Sequence, residues 1–129
     1  MAANPFPRPT DAELEILSVL WKEGACTVRH VHDVLRQSRE IGYTTVLKMM
    51  QIMFEKGLVT RDESERSHVY KARQKEQVTQ KQLIGDLLSR AFGGSIEKLV
   101  LQALSSKRAT KEELAEIRQM IHDLEGDTK

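Results

Sequence analysis

Residues 43–61, YTTVLKMMQIMFEKGLVTR, place the tightest constraint on the fold. Val46, Met49, Met50 and Met53 recur at i, i+3, i+4 and i+7, which lays one apolar stripe along one face of a helix. Thr44, Thr45, Lys48 and Gln51 fall on the other face, near its leading end: two short hydroxyls, a cation and an amide. Gly57 suits the position just past the last turn, where the backbone enters the left-handed region. Leu58-Val59-Thr60-Arg61 then begins a β-run. The methionines at this spacing read as core, not as a cofactor box.

The flanking residues complete a small domain. Thr10-Asp11-Ala12-Glu13, after Pro9, matches a capping box that opens a first helix, with Leu14, Leu17, Leu20 and Trp21 as its apolar stripe and an end near Gly24. Thr27 is the expected N-cap of a second helix over about 28–38, with Val31, Val34 and Leu35 facing inward. Gly42 turns the chain into the third helix. Runs at about 58–63 and 67–73 flank the polar turn Glu63-Ser64-Glu65-Arg66, which predicts a two-stranded hairpin. Three helices and a hairpin, with a polar leading face on the third helix, are the parts of a winged helix-turn-helix that enters a DNA major groove.

Charge gives this reading only modest support. The chain of 129 residues is 40% hydrophobic, 30% charged and 5% aromatic, with a formal net charge of +1. Residues 27–73 hold nine Lys and Arg against six Asp and Glu, while the rest of the chain from 74 onward is balanced. Non-specific affinity for DNA is therefore expected to be weak and salt-sensitive. No apolar run reaches the length of a membrane span, and MAANPFPRPTD lacks the apolar core of a signal peptide. A single cysteine, Cys26, cannot form an internal disulfide, so a cytoplasmic location is expected.

After Arg73 the pattern is helical throughout, with segments expected at about 75–92, 95–105 and 110–124. Phe92-Gly93-Gly94-Ser95 is a sharp break with Ser95 as N-cap, and Thr110-Lys111-Glu112-Glu113 is a second capping box. The first 73 residues thus read as the winged domain and residues 74–129 as a separate helical domain. Leu99-Val100-Leu101 with Leu104 is apolar around most of one helix, and three short helices bury too little surface alone. A second copy of the chain is the expected cover, against a compact monomer as the alternative. The surface for it is assigned to Leu87, Leu88, Phe92, Ile96, Leu99, Val100, Leu101, Leu104, Ile117 and Ile121.

Three segments, PTDAELEILSVLW, YTTVLKMMQIMFEKGLV, and FGGSIEKLVLQAL followed by EELAEIRQMI, resemble in this order the penicillinase and methicillin-resistance repressor family over about residues 9–124. The FGG…LVL tail is the most specific part. Copper-responsive repressors of the same superfamily end in a cysteine-rich metal motif that this chain lacks. The resemblance implies a homodimeric transcriptional repressor on a palindromic DNA operator, its tail helices interlocking two chains. It also implies release through a membrane sensor with a metalloprotease domain, by cleavage in the LVL helix. Matched residue by residue, the bond falls between Gln102 and Ala103, where this chain has neither the Asn nor the aromatic of the best-known members.

The candidate DNA-binding residues are Tyr43, Thr44, Thr45, Lys48 and Gln51 on the third helix, Arg29 and His30 in the first turn of the second, and Arg66, Ser67 and His68 in the wing. Threonine and glutamine can bond base edges, lysine can reach guanine or phosphate, and a helix start can hold phosphate by its backbone donors. Each has a plainer use. Thr44 and Thr45 are good helix caps, and one of them at least is expected to do only that. Lys48 fits a solvated surface, and Arg61 and Arg73 fit ion pairs with Asp62, Glu63 or Glu65. Cys26 and His30, four apart, read as core packing and not as metal ligands. No metal or cofactor is expected, and no nucleophile, paired-carboxylate or phosphate-loop pattern points to an enzyme. Two other readings remain open at this point: a small-molecule-sensing regulator of the MarR type, and a winged-helix protein-interaction module.

Overall fold

A computed structural model of the protein describes residues 6–127; the first five residues of the N-terminal segment discussed above lie outside the described residues. The fold is mainly helical with one small antiparallel sheet. In chain order the elements are α1 (Asp11–Glu23), β1 (Cys26–Thr27), α2 (Val28–Leu35), α3 (Tyr43–Lys56), β2 (Val59–Asp62), β3 (Val69–Ala72), α4 (Glu76–Phe92), α5 (Ile96–Ser106) and α6 (Lys111–Asp127). Contacts divide the chain into two units, Met1–Ile84 and Gly85–Lys129.

The first unit is built from local signals that agree. Thr10 caps α1 in a complete capping box: its hydroxyl accepts the Glu13 amide and the Glu13 carboxylate accepts the Thr10 amide. Thr27 caps α2 through the His30 amide. At the end of α3, Gly57 takes φ 84°, Leu58 N–H donates to Met53 O and Gly57 N–H to Phe54 O. That is a Schellman ending, sealed by contact-forming apolar residues on both sides, since Met53 and Leu58 are both buried. The core gathers Ile16, Leu17 and Leu20 of α1, Val28, Val31 and Leu35 of α2, Val46, Met50 and Met53 of α3, and Val59 and Tyr70 of the sheet.

Several expectations are corrected. The sheet has three strands, in the order β1-β3-β2, because Cys26 and Thr27 pair with Tyr70 and Val69. Two residues are too few to display an alternating pattern, so this strand left no periodic trace. α2 stops at Leu35, not Ser38: the next amides close i→i−3 bonds, Gln37 to Val34 and Ser38 to Leu35, and the Ser38 hydroxyl also donates to the Leu35 carbonyl. The inward face of α1 is rotated from the one expected. Ile16 and Val19 are buried, while Leu14 and Trp21 sit at the rim, where the Trp21 indole N–H donates 2.9 Å to the Gln74 carbonyl. In the first turn of that helix Glu13 is buried and bonded by Lys56 of α3 at 2.8 and 3.0 Å.

The second unit keeps the predicted breaks. Gly93 and Gly94 both have positive φ, Ser95 caps α5 through the Lys98 amide, and Thr110 and Glu113 form the second capping box at α6. No residue of this unit is buried among those described, in contrast to the first unit. Among the described residues no helix is long and apolar enough to cross a membrane.

Candidate nucleic-acid interface

α3 divides its surface sharply. With about 100° between successive residues, Val46, Met50 and Met53 point one way and are fully buried, and Thr44, Lys48 and Gln51 point the opposite way and are exposed. Thr45 flanks them on one side. The helix is capped by the backbone of Gly42 with no side-chain cap bond. This overturns the expectation that Thr44 or Thr45 is spent on capping: a glycine occupies the cap position, and both hydroxyls stay on the solvent face of the first turn.

On the other flank of α3 the chain forms an open cleft of about 370 Å³. Tyr43, Leu47 and Gln51 of α3 make one wall, Thr27, Val28 and Arg29 a second, and Arg66, Ser67, His68 and Tyr70 of the wing a third. Six of the residues picked from the sequence thus converge on one cavity, and Thr44, Thr45 and Lys48 lie on the adjoining exposed face. His30 does not join them. Its ring nitrogen meets Glu23 of α1 at 3.0 Å, its amide is taken by Thr27, and it lines a different depression with Val19, Lys22 and Val34.

Arg61 of the wing reaches over α3. Its guanidinium lies 4.0 Å from the Phe54 ring centre and bonds the Glu63 carboxylate at 2.7 Å. Hydrogen bonding to Tyr70, and then to Glu63, raises its pKa further above the ordinary value. The ion pair expected for Arg61 is therefore present, with Glu63 as partner. Asp62 accepts the Ser64 amide at 2.9 Å, and bonding from the Ser64 side chain and backbone holds its carboxyl below the usual range. Two of the wing acids are thus occupied within the hairpin itself.

Cys26 is buried, with its thiol 3.1 Å from the Gly24 carbonyl. Burial, and then the Glu23 carboxylate, push the thiol pKa up, as befits a core group. Among the described residues no three His, Cys, Asp or Glu side chains are grouped to hold a metal. Two contributors escaped the sequence reading. His32 touches Tyr43 edge-on and bonds the Ile41 carbonyl, and Lys56 reaches back to Glu13. The spacing of His32 three residues after Arg29 puts both on one side of α2, but nothing in the spacing reveals the carbonyl that holds it.

A family model described as "Penicillinase repressor" matches residues 9–123. The chain belongs to the penicillinase repressor family. Within this family it is 20% identical over 122 residues to the penicillinase repressor of Staphylococcus aureus, covering 95% of this chain and 97% of that one. To the penicillinase repressor of Bacillus licheniformis it is 25% identical over 118 residues, covering 92% of each. The fold is similar to the solution structure of the DNA binding domain of the repressor BlaI, with a TM-score of 0.50 and 26% identity over 57% of this chain and 90% of that one. The match to the repressors runs through both units, and the fold match is with a domain of the size of the first.

Proposed function

We propose that this chain is a transcriptional repressor that binds a palindromic DNA operator as a homodimer in the cytoplasm. The observation that carries the proposal is the exposed face of α3, where the Gly42 cap leaves Thr44, Thr45, Lys48 and Gln51 free of other duties. On this reading α3 lies in the major groove with its N-terminal turn against base edges, because Glu55 at the far end of the same face repels phosphate. Tyr43, Arg29, Arg66, Ser67 and His68 face the backbone beside it.

The winged domain, residues 1–73, supplies one half-site reader, and residues 74–129 supply the second copy. Ile96 and Leu101 are 66% and 58% exposed in the single chain, and Leu87, Val100, Leu104 and Ile121 are exposed with them. So much apolar surface from residue 85 onward, where no described residue is buried, calls for a partner, and a second copy gives two readers at high effective concentration. De-repression proceeds by cutting Gln102–Ala103 after a membrane sensor is triggered. That bond lies inside α5, so the helix must first open locally to present an extended strand to a protease.

The deciding experiment selects duplexes from a random library with the full-length protein and asks whether the winners share an inverted repeat. Selection of no sequence, together with salt-insensitive binding, would favour the protein-interaction reading, which the near-neutral net charge of +1 supports.

A further inference from the structure

We propose that the cleft between α3, the start of α2 and the wing seats one phosphodiester of the duplex backbone, gripped by Arg29 and Arg66, and that His32 is a positioning residue holding Arg29 through Tyr43. The inference rests on the DNA-binding reading above. It assigns that cleft a ligand group and gives α2 a supporting role.

Charge complementarity identifies the occupant. The residues lining the cleft include Arg29, Arg66 and His68 and no carboxylate. Elsewhere in the first unit Arg36 is paired with Asp33, Arg39 with Glu15 and Arg61 with Glu63, whereas Arg73, expected to pair with a wing acid, forms no ion pair among the described residues and does not line the cleft. Neither Arg29 nor Arg66 forms an ion pair among the described residues. In a chain whose net charge is only +1, two unpaired guanidinium groups around one cavity are a local excess of cation. Guanidinium forks match phosphate oxygens two by two.

The support for Arg29 is also visible. Its guanidinium carbon lies 5.6 Å from the centre of the Tyr43 ring. A π face restrains a cation without cancelling its charge, so the group stays both ordered and available to an anion. Tyr43 is in turn met edge-on by His32, with ring centres 5.9 Å apart and planes at 88°. His32 Nε2 lies 2.8 Å from the Ile41 carbonyl, which can only accept, so that nitrogen carries the proton and the ring is fixed in orientation. The series Ile41, His32, Tyr43, Arg29 thus runs from the loop before α3 to the mouth of the cleft.

The test measures duplex affinity of the full-length protein across about 50–200 mM salt. Its probes are a duplex selected by the wild-type protein and a scrambled duplex of equal composition. Arg29→Gln and Arg66→Gln should each lower affinity about tenfold and reduce the slope of log K against log salt by about one per bound chain. Both should leave the preference for the selected duplex intact, and Arg29→Lys should keep the slope. His32→Leu should weaken binding in the wild-type background and add little in Arg29→Gln, which a merely structural role would not do. Unchanged slopes in both glutamine variants overturn the phosphate seat, and additive losses for His32 and Arg29 overturn the positioning role. Displacement of the duplex by inorganic phosphate at fixed ionic strength, lost in Arg29→Gln, identifies a free-anion site and overturns the assignment to DNA. Failure of the wild-type protein to bind any duplex sinks the repressor reading as well, whereas failure of the slope test alone leaves it standing.

Discussion

The two units of this chain satisfy their apolar residues in opposite ways. In the first, Ile16, Val31, Val46, Met50 and Met53 are fully buried, and the buried carboxylate in the first turn of α1, Glu13, is paired and bonded. In the second, Ile96, Leu101, Met120 and Leu124 are each more than half exposed. Side-chain N-caps begin helices in both units alike, Thr10 and Thr27 in the first and Ser95 and Thr110 in the second. Good capping therefore does not measure tertiary stability. Caps fix where a helix starts, worth about 1 kcal/mol each, while burial decides whether it has anything to pack against. The first unit has its core within one chain. The second leaves the surface of a core exposed, and this is the surface proposed above for a second copy.

The largest expected effect is on the second unit. Leu101→Asp places a charge in the middle of the proposed interface and should give monomers in sedimentation. Operator affinity should fall by about two orders of magnitude or more, the gain that linking two half-site readers supplies. The first unit should stay folded, and Trp21, the single tryptophan, reports on it selectively by fluorescence. An intact dimer would refute the assignment of this surface. The converse change is Met50→Ala in the first unit, which should cost about 2–5 kcal/mol in urea unfolding followed at Trp21. Leu101→Ala, tested at concentrations where the chain is monomeric, should move the same transition by no more than about 0.5 kcal/mol. Equal costs at the two sites would erase the contrast between the units.

How far the sequence shows this contrast depends on the signal concerned. Capping and glycine stops are local chemistry, so Thr10, Thr27, Gly57, Gly94 and Ser95 were readable at the residue. The α3 stripe was readable because its period is unbroken over two turns. β1 was not, because a two-residue strand exists only through its partner Tyr70 and Val69, far along the chain. The capping role assigned to Thr44 or Thr45 failed for a similar reason. The preference for threonine at caps is real, but the loop from α2 delivers Gly42 to that position and starts the helix one residue before Thr44. The cleft residues Arg29, Tyr43, Gln51, Arg66, Ser67 and His68 could be nominated singly, whereas their meeting around one cavity depends on the hairpin returning across α3. That return is held by the pairing of β3 with β1, by buried Val59 and Tyr70, and by Arg61 over Phe54.

A smaller effect separates reading from folding inside the first unit. Thr45→Ala or Lys48→Ala should each cost about 1–3 kcal/mol of binding to the cognate duplex, measured by gel shift. Both side chains are exposed, so the Trp21 unfolding transition should not move. A loss of stability in step with a loss of binding would mean that these residues act through the fold and not at the DNA.

The finest comparison is between the two capping boxes, which share the pattern Thr-x-x-Glu and differ in surroundings. Burial raises the Glu13 pKa, but the Lys56 hydrogen bond, the Thr10 amide bond and the Lys56 charge outweigh it, and the carboxyl ends below its ordinary 4.5. Glu113, exposed, is lowered chiefly by the backbone and side-chain bonds of Thr110. For both, the folded value lies under the unfolded one. Their contribution is thus complete above the ordinary carboxylate pKa and is lost as pH falls through the folded value. Glu13→Gln should therefore cost about 1 kcal/mol near neutrality, allowing for solvent screening of the half-exposed Lys56. That difference from wild type should close as the pH drops below 4.5, where protonated Glu13 resembles the amide. Glu113→Gln should follow the same course with a smaller amplitude, because glutamine still closes the capping box and no inter-helix ion pair is lost. Urea unfolding across the acid range, read at Trp21 for Glu13 and by far-ultraviolet helicity for Glu113, checks both. Equal amplitudes would show that Lys56 adds nothing to the Glu13 box, and that the tie from α1 to α3 is only a surface contact.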